Sequence, residues 1–159
     1  MADSQRETLR NLLVAEFSKI KVADGYRTTP ELVLSYKPFA IENYPCIVVE
    51  VVDEEINFID TNRNVANSDV RIRIFGHYRE ETQGDKIPAY PAETVGELLL
   101  HDIKKIVRTL MIRDVGPTSS PRYKFNQPIR VLGPDYSAVN VGWVMVEFRA
   151  QLLYQGADW

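Results

Sequence analysis

Between Asn140 and Tyr154 the chain alternates with a period of two, and this pattern constrains the fold more than any other feature. Val144, Val146, Phe148, Ala150 and Leu152 form one set, while Trp143, Met145, Glu147, Arg149 and Gln151 form the other. Successive side chains of a strand point to opposite faces, so the pattern predicts one strand with an apolar face and a charge-bearing face. Roughly fourteen residues at about 3.3 Å each span about 46 Å, well beyond the usual strand. A strand of that length is expected to overhang a small domain, with a neighbouring copy of the chain as its cover.

The other elements follow from the same reasoning. Ser4 and Glu7 have the spacing of a capping box, and Leu9, Leu12, Leu13, Phe17 and Ile20 follow at helical intervals, up to a stop at Asp24-Gly25. Leu32-Val33-Leu34 lies between Pro30 and Pro38, which suits an edge segment or short strand. Cys46 to Val52 is a β-branched run that reads as a buried strand. Asp69 to Gly76 alternates Val70, Ile72 and Ile74 with Arg71 and Arg73. These two strands are expected to pair antiparallel, joined by a long protruding connection from Asp53 to Ser68. A second helix is predicted from about Glu93 to Ile112, on a stripe of Val95, Leu99, Ile103, Ile106 and Leu110. Polar connections at His77 to Ala92 and Asp114 to Gln127 flank it. A short strand from Pro128 to Leu132 and a Gly133-Pro134-Asp135 turn then lead into the final strand.

Helix, strands, helix, strands is the order of an α+β layer: a mostly antiparallel sheet, two main helices packed on one face, and long protruding loops. The 159 residues fit a single domain spanning 1–159, and 45% hydrophobic with 26% charged residues is a globular composition. The net charge of −3 argues against a surface built for general binding of nucleic acid or anionic membrane. A lone cysteine, Cys46, permits no internal disulfide, and no apolar run reaches bilayer length, so a soluble intracellular protein is expected.

Catalytic and metal-binding patterns are missing from the sequence. His77 and His101 are not in a zinc-binding spacing, and Cys46 opens an apolar strand after a proline, which suits an inert core thiol. Asp60, Asn62 and Asn64 imitate the start of a calcium loop, but Val65 replaces its turn glycine and Arg71 its terminal glutamate. The acid pairs at Asp53-Glu54-Glu55 and Glu80-Glu81 are adjacent in sequence, whereas glycosidase acids must face each other across a pocket. The expectation is a non-enzyme without metal or cofactor. Candidate functional residues lie instead on the polar strand faces: Arg71, Arg73, Trp143, Glu147 and Arg149 carry opposite charges around a large aromatic, a suitable surface for a partner subunit.

From about Ser4 to Tyr154 the order of segments resembles the tail terminator (tail-completion) proteins of tailed bacteriophages. The resemblance rests on the opening amphipathic helix, Gly25-Tyr26-Arg27-Thr28, Tyr44-Pro45-Cys46-Ile47-Val48-Val49-Glu50, Val70 to Gly76, and a helix bearing Leu100-His101-Asp102-Ile103. It implies a structural virion protein, assembled in the host cytoplasm, that forms a hexameric ring on the head-proximal end of the tail tube. The implied partners are further copies of the chain, the tail tube protein, a neck or head-completion protein, and sheath protein in a contractile tail. DNA would pass through the lumen without sequence-specific binding, and no membrane is involved. A head-tail connector or stopper, the equivalent cap of a contractile injection system, and a small ligand-binding domain or enzyme are the alternatives.

Overall fold

A computed structural model of the chain describes residues 5–59, 65–79, 92–112, 123–138 and 141–155. Helix α1 (Gln5–Phe17) is followed by a short 3-10 turn at Val22–Asp24, strand β1 (Leu32–Leu34), strand β2 (Cys46–Phe58) and strand β3 (Val65–Arg79). Helix α2 (Ala92–Ile112) and strands β4 (Tyr123–Ala138) and β5 (Val141–Gln155) complete the order. One five-stranded sheet has the order β1-β2-β3-β5-β4. The β1–β2 pair is parallel and the other three pairs are antiparallel. The α+β architecture expected from the sequence is therefore the observed one.

Both helices lie on the same side of the sheet, and the period-two patterns determine which side chains they cover. Val70, Ile72 and Ile74 of β3 and Val144, Val146, Phe148, Ala150 and Leu152 of β5 are buried against Leu99, Ile103, Ile106 and Leu110 of α2. Leu9, Leu13, Phe17 and Ile20 close the core over β2. Gly76 allows the second helix to approach closely. A Cβ there would lie 2.8 Å from both Ile103 Cδ1 and Leu99 Cδ2, inside any normal contact.

Several expectations change. The final strand does not overhang. β5 runs between β3 and β4, pairing with β3 from Val141 to Gln155 and with β4 along most of the same length, so its own chain supplies both neighbours. Among the described residues the open borders lie elsewhere: β4 forms one edge, and beyond Val48 β2 has no strand on its outer side. The connection expected from Asp53 to Ser68 is mostly strand, because pairing continues from Asp53↔Arg71 out to Phe58↔Ala66 past an irregularity between Val51 and Asp53. Asp53, Glu55 and Asn57 occupy the uncovered face of this hairpin, where a strand tolerates them, while Glu54 and the buried Ser68 on the helix side hydrogen-bond to each other. Gly133-Pro134-Asp135 is likewise an irregularity within β4. Gly133 adopts φ 88 there, and a Cβ at that position would meet the Trp143 carbonyl oxygen at 2.7 Å. Asp24-Gly25 closes the 3-10 turn and not α1, with Gly25 at φ 90 donating its N–H to the Val22 carbonyl. Ser4, Asp60, Asn62, Asn64, Glu80 and Glu81, and the connections at 80–91 and 113–122, lie outside the described residues.

Candidate functional site

The five residues expected on the polar strand faces do share one surface. Arg71 and Arg73 of β3 and Trp143, Glu147 and Arg149 of β5 all point away from the helices, because each alternates with a core residue. Arg73 lies directly across from Glu147 and donates from Nε to Oε1 at 2.8 Å. Arg71 Nη1 is 3.6 Å from Asp53 Oδ2, and Arg149 Nη1 is 3.9 Å from Asp69 Oδ2. Such half-exposed pairs contribute about 0–1 kcal/mol each, so they fix strand register more than they stabilise the fold. Trp143 is less exposed than the sequence suggested: its ring lies 6.2 Å from Phe75, tilted against it.

That aromatic pair belongs to a small apolar cluster on the face away from the helices. Cys46, Val48 and Met145 are nearly inaccessible there, although none belongs to the main core. Lys37, from the segment after β1, joins Val48, Glu50, Phe75, His77 and Trp143 around a hollow of 290 Å³. Sequence reasoning missed this second cluster because the same face bears the arginines and glutamates further along the strands.

Cys46 and His77 are direct cross-strand partners, a juxtaposition that resembles a nucleophile beside its base. Their electrostatics oppose that use. Burial pushes the Cys46 thiol up, while burial and then the Lys37 charge push the His77 imidazole down. A thiolate–imidazolium pair requires both shifts in the opposite direction. Both groups are therefore held neutral.

The downward shift at His77 predicts a pH effect on stability. The unfolded chain takes up a proton near pH 6.5, while the folded chain does so only at lower pH. Between those values the unfolded state binds more protons, so stability falls as pH drops through about 6.5 and levels off below the folded-state pKa. Urea denaturation from pH 8 to pH 5 should show this loss, and His77→Gln should remove that component of it.

A different buried group joins two segments far apart in sequence. Asp102 of α2 is wholly inaccessible, and its carboxylate accepts from the Thr28 backbone N–H at 2.7 Å and the Thr28 hydroxyl at 2.6 Å. The Arg27 N–H is shared between its two oxygens at 3.1 Å each. Lys105 Nζ stands 4.6 Å above the Tyr26 ring and holds the same segment. Gly25-Tyr26-Arg27-Thr28 and Leu100-His101-Asp102-Ile103 are thus two halves of one anchor. The signal available in sequence was a lone aspartate among leucines on the apolar side of a helix.

Further depressions lie elsewhere among the described residues. One, of 430 Å³, lies beside the Asp102 anchor and is lined by Arg27, Glu31, Glu42, Tyr44 and Arg79 among others, with the Arg79 guanidinium 5.1 Å from the Tyr44 ring. Another, of 620 Å³, is a groove between α2 and β4 with Ile129, Val131 and Val146 in its lining. Among the described residues no cluster of His, Cys, Asp and Glu has metal-binding geometry.

These features define a small α+β protein with a paired charge array on one sheet face and helices on the other. No protein-family model matches the chain, and no curated protein matches it.

Proposed function

We propose that this chain is a structural subunit of a ring, and that the ring is of the tail terminator type, closing the head-proximal end of a phage tail tube and joining it to the neck. The observation that carries the reading is the placement of exposed apolar side chains at opposite borders of a sheet whose core is otherwise closed. Ile56, Phe58 and Ile59 are exposed at the far end of β2, and Ile129, Val131 and Leu132 along β4. These are six of the twelve large apolar side chains exposed among the described residues, and a head-to-tail contact, which uses two different surfaces of each copy and closes into a ring when its rotation permits, would cover both groups. The choice of tail terminator over other rings is supported by the resemblance in segment order, two of whose segments meet at Asp102.

In this reading the face bearing Arg71, Arg73, Trp143, Glu147 and Arg149 is presented to a neighbouring tail or neck protein. The net charge of −3 suits a lumen that DNA slides through without being gripped. Purified protein, measured by native mass spectrometry and imaged with tail tubes, is expected to form rings of about six 18.2 kDa chains seated on tube ends. A strict monomer that never binds tubes overturns the proposal. Arg73→Ala combined with Trp143→Ala should reduce tube capping severalfold with an unchanged circular dichroism spectrum, and unimpaired capping would assign the tube contact to another face.

A further inference from the structure

The two exposed apolar borders have complementary charge, and we infer that they are the two halves of one contact: the β2–β3 hairpin end of one copy seats in the α2/β4 groove of the next. This rests on the ring reading above and specifies its joint.

The groove exists because two helices cannot roof five strands. α2 packs on β3, on β5 and on β4 near Pro134, but leaves the inward-facing side of β4 open at Ile129 and Val131, which are 40% and 39% exposed. Val107 and Val146 extend that apolar floor. The helix wall beside it carries His101, Lys104, Lys105 and Arg108, which recur at three- and four-residue spacing and so form one stripe along α2. Among the described residues neither Lys104 nor Arg108 has an acidic partner. The groove is therefore an apolar trough beside a cationic wall, and it calls for an occupant that is apolar on one face and acidic on the other.

The hairpin end has that character in part: Glu54 on its helix side is already engaged by Ser68 and Arg6, and its other face holds one more acid than it has arginine partners. Ile56 and Phe58 fall opposite Ser68 and Ala66, on the face that elsewhere forms the core, and they extend past the cover of α1. Asp53, Glu55 and Asp69 occupy the opposite face. Asp53 and Asp69 already have arginine partners, but Glu55 lies directly across from Asp69, a like-charge pair that costs stability in the isolated chain. A cation from a second copy relieves it.

The geometry also makes the contact heterologous. The groove floor is level with Val146, Ile74 and Val49 across the sheet, whereas Ile56 is about seven positions further along β2, on the order of 23 Å at ~3.3 Å per residue. The two surfaces lie toward opposite edges of the sheet on its helix side, with a large offset along the strands, so each copy in a head-to-tail series retains a free groove at one end and a free hairpin at the other. Repetition yields a ring or a filament.

The test uses the full chain in sedimentation velocity, with a groove variant (Lys104→Glu with Arg108→Glu) and a hairpin variant (Glu55→Lys with Ile56→Ser). Each variant alone should self-associate at least about tenfold more weakly than the unmodified chain, with its circular dichroism preserved, because reversing charge replaces attraction by repulsion. An equimolar mixture should regain association that neither variant shows alone: groove and hairpin meet with like charges within each variant, whereas across variants the unmodified groove meets the unmodified hairpin and the reversed groove meets the reversed hairpin charge. Combining Lys104→Glu and Arg108→Glu with Glu55→Lys in a single chain should recover part of the lost association. Rings that persist in both single-surface variants overturn this contact and leave the ring reading standing. An unmodified chain that is monomeric throughout overturns both.

Discussion

Asp102→Ala is expected to lower the folding free energy by about 3–4 kcal/mol. The carboxylate has no solvent contact and accepts from Arg27 N–H, Thr28 N–H and Thr28 Oγ1. Its removal breaks charge-assisted hydrogen bonds worth about 1.5–3 kcal/mol each and leaves buried donors without acceptors, while some of the loss is recovered by water entering the space. Asp102→Asn preserves the shape and one acceptor oxygen but directs an amide N–H₂ toward other donors, so it should cost less, about 2 kcal/mol. Urea denaturation of both variants gives the comparison. A loss below about 1 kcal/mol for the alanine variant would mean that the Arg27–Thr28 segment is held by other contacts, Lys105 over Tyr26 being the foremost. The size of the effect matters for assembly, since small domains have only about 5–15 kcal/mol in total.

Phe148→Ala should be of similar or larger effect, about 3–5 kcal/mol, with a fall in Tm on the order of 10 °C. Phe148 is fully buried on β5, and its ring lies 6.0 Å from that of Phe125 on β4 in a tilted arrangement. The truncation removes a large buried apolar area, leaves a cavity in the middle of the sheet and dissolves the ring pair that ties β4 to the core. Phe125→Ala, at a position that is 7% exposed, should cost less because the site lies nearer the edge of the sheet and can collapse or admit water. If β4 forms one wall of the contact between copies, Phe125→Ala should also weaken self-association in sedimentation experiments, while Phe148→Ala acts mainly on the midpoint of unfolding. Equal effects of the two variants on both measurements would argue that β4 is positioned by its backbone pairing with β5 and not by the aromatic pair.

Periodicity made much of this architecture legible. The alternation of Val70, Ile72 and Ile74 with Arg71 and Arg73, and of Val144, Val146 and Phe148 with Glu147 and Arg149, marks which face of each strand is inside. A one-residue slip would bury the charges, so the alternation allows only one choice of face for each strand. The stripe from Val95 to Leu110 similarly marks the covered side of α2. Since these patterns are local, they also placed Arg71, Arg73, Trp143, Glu147 and Arg149 together on one face before any pairing was known.

Which strands are neighbours was a different matter, because strand order depends on contacts between residues far apart in the chain. The length of β5 was evident from sequence. Its enclosure between β3 and β4 was not, and it moved the exposed borders to β4 and the far half of β2. The polar stretch after Val52 read as a loop because a strand open to solvent on one face and lacking an outer neighbour carries little hydrophobic signal. Asp102 and Thr28, 74 positions apart, could be matched only once the fold placed them together. The sequence alone determined the faces of the elements. Their order in the sheet, the anchor at Asp102 and the groove between α2 and β4 were decided by tertiary packing, where two helices must cover five strands and leave one partly bare.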